Sequence, residues 1–99
     1  MKSRSILTLL NLLLEQTKLA YRDHRGGGGL CGVKNYMHLK GIINMYEFRI
    51  LHSYMTFNLP PRDKFTYCWP KHDALSRFDW IEKQIAKEAY IEYKSYTNA

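Results

Sequence analysis

Cysteine is nearly absent from this chain. Cys31 and Cys68 are the only two in 99 residues, and more than a third of the sequence separates them. That is too sparse for the disulfide framework of a small secreted domain and points to a reducing cytoplasm. Acidic residues are also scarce: nine Asp and Glu face fifteen Lys and Arg, a formal charge of +6. The excess favours phosphate-bearing or polyanionic partners and disfavours cationic ones. Long apolar runs are missing too. The longest, Ile6 to Leu14, is interrupted by Thr8 and Asn11 and falls well short of the roughly 20 residues that a membrane span requires. Met1-Lys2-Ser3-Arg4 before that run imitates the start of a signal peptide, but no small-x-small cleavage site follows, so the run reads as an amphipathic core helix with no membrane role.

Several catalytic and metal signatures are lacking as well. Gly26-Gly27-Gly28-Gly29 is not followed by Gly-Lys-Ser/Thr, so it is not a P-loop, and no strand and glycine turn of a dinucleotide fold surrounds it. No Gly-x-Ser-x-Gly surrounds a nucleophile. Cys68-x-x-x-His72 has the spacing of half a zinc site, and no second half exists. The expectation is a non-enzymatic protein with no cofactor and no metal.

Hydrophobic residues make up 45% of the chain and aromatics 14%, enough apolar surface to offset the ordering entropy of one small core. The expected architecture is all-α, a small bundle of about four helices over residues 1–99 as one domain. Ser3 or Ser5 caps a first helix whose apolar stripe is Ile6, Leu9, Leu10, Leu13, Leu14 and Thr17, ending near Tyr21. Leu7 and Leu12 widen that stripe, so this helix is covered either by two neighbours or by another subunit. A homo-oligomer is therefore expected. A short second helix carries Leu30, Val33, Tyr36 and Met37 and stops near Gly41. Asn44 to Glu47 has the logic of a capping box, opening a third helix over Met45 to Thr56 with Phe48, Leu51 and Met55 on one face. Pro60-Pro61 ends it. An irregular aromatic loop, or a short strand through Phe65, Tyr67 and Trp69, then leads to Asp73. Asp73 caps a last helix with a stripe of Leu75, Phe78, Ile81, Ile85 and Ala89, fraying from about Ser95.

Two segments carry binding chemistry. Arg22 and Arg25 precede the glycine run that ends in Gly28 and Gly29 and leads into a helix; exposed amides at a helix N-terminus bind anions. The segment reads either as a phosphate cradle or as a flexible connection. In the second, Tyr67 and Trp69 offer flat faces beside Lys71 and Arg77, which suits base stacking with phosphate neutralisation. The competing reading there is packing, with Trp69 in the core and Arg77 paired to Asp73.

The run Tyr67-x-Trp69-Pro70-x-x-Asp73-x-x-x-Arg77-Phe78-x-Trp80-Ile81-Glu82-x-x-Ile85, preceded by Gly29-Leu30-Cys31, resembles short bacteriophage-encoded proteins. The pattern spans roughly half the chain. In a phage setting, small helical oligomers are similar to anti-defence "sponge" proteins, which sequester nucleotide signals of bacterial immunity without cleaving them. The resemblance implies a cytoplasmic sponge for a small nucleotide-type ligand, a cyclic oligonucleotide or an ADP-ribose derivative. It assigns no individual ligand-binding residue. The alternatives are a basic protein that binds DNA or RNA, and a helical adaptor for a host protein.

Overall fold

The computed structural model describes residues 3–22, 30–58 and 74–97. These form four helices: α1 (Ile6–Arg22), α2 (Leu30–Leu39), α3 (Met45–Phe57) and α4 (Ala74–Thr97). No strand occurs among the described residues, and the fold is all-α. The glycine run at 26–29, the segment from Pro60 to Lys71 with its expected loop or strand, and the expected cap at Asp73 lie outside the described residues.

Each visible helix end has a local cause. The Thr8 backbone N–H donates to Ser5 Oγ at 3.2 Å, so Ser5 is the cap of α1. At the end of α2 the N–H of Gly41 reaches the His38 carbonyl and that of Ile42 reaches the Met37 carbonyl, at 3.1 and 2.8 Å. This pair of bonds is the Schellman arrangement. It needs a left-handed residue at Gly41, where φ is +73°, and a glycine adopts that angle without a Cβ penalty. Space does not restrict the site, since an added Cβ would meet nothing within 4 Å. Gly41→Ala should therefore cost only the backbone strain, about 1 to 2 kcal/mol. Chemical denaturation checks this, and an unchanged midpoint would contradict it.

The core is one cluster drawn from all four helices: Leu9, Leu10 and Leu13 of α1, Leu30, Val33 and Met37 of α2, Leu51 and Met55 of α3, and Trp80 and Ile81 of α4, with Ile43 from the α2–α3 link. Thr17 is fully buried and satisfies its hydroxyl by donating to the Leu13 carbonyl at 2.6 Å. The α1 stripe expected from spacing is the buried one, with Ile6, Leu12 and Leu14 packed at its margin. Its breadth is explained within the chain, because α1 lies in the middle of the bundle and packs against α2, α3 and α4.

The expected stripe of α4 is met at Ile81, which is buried, and at Phe78 and Ile85, which are half-buried, but not at Ala89, which is exposed; the Leu75 side chain lies outside the described residues. Arg77 and Trp80 are also buried, and Gln84 and Glu88 half-buried, so the inward face includes polar and aromatic positions that the aliphatic spacing does not mark. At 24 residues, α4 is about 36 Å long. The 17 residues of α1 cover about 25 Å of it. The last turns of α4, from Ala89 to Thr97, are consequently exposed but remain helical rather than frayed.

Candidate binding groove

Two polar clamps fix a groove on the outer side of α3. The first is built on Glu47, which is 2% exposed. Its Oε2 accepts from the backbone N–H and the Nε of Arg4 at 2.9 and 2.7 Å, and its Oε1 accepts from Arg4 Nη2 at 2.9 Å. Arg4 Nη2 also donates to the Ile42 carbonyl. Oε1 further accepts the Asn44 N–H at 3.0 Å while Asn44 Oδ1 takes the Glu47 N–H at 2.9 Å, completing the expected capping box. Hydrogen bonds from the Arg4 guanidinium pull the Glu47 carboxyl down to about 2, against the opposing effect of burial; the N–H groups of Asn44 and Arg4 and the Arg4 charge add to the shift. One carboxylate thus ties the start of α1 to the start of α3 and brings Ile6 beside the α3 surface.

The second clamp joins α3 to α4. The Tyr54 hydroxyl lies 2.9 Å from Glu88 Oε2 and 3.0 Å from Gln84 Oε1. Burial, and next the hydrogen bond to Glu88, raise its pKa. Lys87 Nζ donates to Asn58 Oδ1 at 3.0 Å, and Asn58 in turn caps α3 through its own N–H to the Tyr54 carbonyl at 2.9 Å.

Between the clamps runs an open groove of about 420 Å³ lined by Ile6, Arg49, Ile50, Ser53, Tyr54, Phe57 and Asn58. The α3 members recur as three pairs, one turn apart, and so share one face. Phe57 is 85% exposed, far more than folding alone requires of a large aromatic. Among the described residues Arg49 is the one charged side chain lining the groove. Glu47 does not offset it, being buried and engaged by Arg4. The groove therefore combines a guanidinium for an anion, a flat ring for stacking, apolar walls and the hydroxyl of Ser53, while the Asn58 amide is held by Lys87 and the Tyr54 carbonyl.

The residues expected from sequence divide into three groups. Arg25, Gly28, Gly29, Tyr67, Trp69 and Lys71 lie outside the described residues. Arg22 is exposed at the last turn of α1, near a small aromatic cluster in which Tyr21 meets Phe78 edge-on at 5.9 Å and Lys18 Nζ lies 5.9 Å from the Phe78 ring. Arg77 is 2% exposed and belongs to the interior face of α4. Arg22 and Arg77 thus differ sharply in their access to solvent.

Sequence reasoning missed three features. Lys34 is 2% exposed, with its Nζ 4.4 Å from the Phe48 ring centre, a cation–π contact inside the fold. The His38 ring lies 5.0 Å from that of Phe48, tilted by 48°, and its Nδ1 is buried with no hydrogen-bond partner among the described residues. The groove itself was foreshadowed by Arg49 and Phe57, eight residues apart on a helix and so on one face, a spacing that signals a shared surface.

Among the described residues no group of three or more His, Cys, Asp or Glu side chains could hold a metal ion, and no helix is long and apolar enough to cross a membrane. No family model, curated protein or solved structure matches the chain.

Proposed function

We propose that this protein is a non-enzymatic binding module that sequesters a small phosphate-bearing, base-containing ligand, of the cyclic oligonucleotide or ADP-ribose class, in the α3 groove. The observation that carries this reading is the pairing of Arg49 with the exposed ring of Phe57 on one face of α3. A phosphate needs a charge-assisted donor and a base needs a flat apolar face, and eight residues of helix set the two about 12 Å apart along the axis. The resemblance to phage-encoded proteins supports the same ligand class; on this reading the protein acts in the cytoplasm of an infected cell as an anti-defence sponge and as a homo-oligomer.

An adaptor role is the second reading, favoured by one observation. The groove is open along its length and walled by Ile6, Ile50 and Phe57, a shape that also suits the apolar stripe of a partner helix.

Titration calorimetry with a cyclic dinucleotide, a cyclic trinucleotide and ADP-ribose separates these. At least one should bind, and Arg49→Ala should weaken it by about 1.5 to 3 kcal/mol, roughly ten- to a hundredfold. Melting should be unchanged, since Arg49 and Phe57 are exposed. Binding that survives both Arg49→Ala and Phe57→Ala would remove the groove as the site. Binding lost instead in Arg22→Ala would move it to the end of α1.

A further inference from the structure

The surface beside the groove continues its chemistry. Lys87, which donates to the groove-lining Asn58 at 3.0 Å, sits at the rim on α4. Lys83, Lys87, Tyr90 and Lys94 recur at i, i+4, i+7 and i+11, which is one flank of a helix. Lys83 is engaged by Asp79 at 3.0 Å. Lys94 Nζ lies 6.0 Å from the Tyr90 ring, and that ring is 60% exposed. Ile91, adjacent on the same side of α4, is 51% exposed.

Asp79, one turn before Lys83 on the same flank, is spent on that lysine, and the other carboxylates of α4 lie off it. Glu82 and Glu92 point away from this flank by the helical repeat, and Glu88 accepts the Tyr54 hydroxyl. Arg49, Lys87 and Lys94 therefore share this side of α3 and α4 with the flat faces of Phe57 and Tyr90, and the two adjoining acids among the described residues, Asp79 and Glu88, are already engaged. From Arg49 to Asn58 the α3 part is about 14 Å long, and from Lys87 to Lys94 the α4 part is about 10 Å. At about 3.4 Å per stacked base the α3 part matches about four nucleotides and the α4 part about three.

We infer that the groove and the Lys87–Tyr90–Lys94 flank of α4 form one binding track for single-stranded nucleic acid several nucleotides long. The inference rests on the reading of the α3 groove as a phosphate-and-base site and extends that site onto α4. Cations that follow the backbone and rings that stack successive bases are the two requirements of single-strand binding without base readout. An open groove admits a strand that continues beyond it at both ends.

Fluorescence anisotropy with labelled ten-residue oligothymidylate and oligouridylate tests this, beside the calorimetry on the small nucleotides. Both oligomers should bind more tightly than any small nucleotide. Three engaged cations predict a log–log salt slope of about −2 for a single strand. Tyr90→Ala should weaken the oligomers roughly five- to a hundredfold, and Lys94→Ala should flatten the salt slope by about 0.7. Both side chains are exposed, so the melting temperature should hold in each variant, and neither change should alter small-nucleotide affinity. An oligomer that binds no tighter than a small nucleotide, or that is insensitive to both α4 variants, overturns the track and leaves the groove reading standing. Failure of every oligomer and every small nucleotide to bind overturns both. A preference for oligothymidylate or oligouridylate assigns the strand to DNA or RNA.

Discussion

Glu47→Ala should lose on the order of 3 kcal/mol of folding stability, because it deletes the acceptor for Arg4 and half of the α3 capping box in one step. For a domain of this size the melting temperature should fall by about 15 °C. The pH dependence gives a sharper signature. Glu47 titrates normally near 4.5 and in the fold near 2, so its folded-state pKa is depressed. The stabilisation is therefore complete above about pH 4.5 and disappears as the pH falls toward 2. Its size should be on the order of 2 to 3 kcal/mol, below the full linkage value, because the Arg4 side chain is 45% exposed to screening water. Urea unfolding of the native protein and of Glu47→Gln between pH 7 and pH 2 checks this. The stability difference should be flat above pH 4.5 and vanish near pH 2, and a difference that persists unchanged at pH 2 would contradict the clamp.

Arg77→Ala should be comparably damaging, at about 3 kcal/mol, since truncating a long side chain at 2% exposure leaves a cavity and removes the interaction it makes within the fold. The sequence leaves two readings of this residue: as a ligand contact its loss would cost affinity roughly ten- to a hundredfold with melting unchanged, and as a packing residue it would cost stability. The interior position of Arg77 favours the second. Thermal melting should shift by 10 °C or more, and any loss of binding should track the unfolded fraction rather than occur in intact protein. Unaltered melting together with lost affinity would restore Arg77 as a ligand contact.

Helix boundaries were legible because their signals are local. Ser5, Asn44 with Glu47, and Gly41 each act within four residues, and the structure places a cap or stop at each. The aliphatic stripes of α1, α2 and α3 were legible for the same reason, since a 3.6-residue period needs no knowledge of the partner helix. Buried charge was not legible. Lys34, Glu47 and Arg77 are residue types that face water by default, and what overrides the default is tertiary. Glu47 is buried because Arg4 arrives from 43 positions away, and the inward line of α4 passes through Arg77 because of what packs around it. The groove shares this character. Arg49 and Phe57 can be placed on one face from spacing, but that the face stays open depends on where Ile6 and Asn58 are held.

The two expected binding segments and the groove make separable claims about where an anionic aromatic ligand touches the protein. Nuclear magnetic resonance titration of the isotope-labelled protein with the tightest of the small nucleotides decides between them directly. The account predicts shifts concentrated on Arg49, Ile50, Ser53, Phe57 and Asn58, with Ile6 following. Saturable shifts confined to Arg22 and the residues after it, with α3 unperturbed, would contradict it.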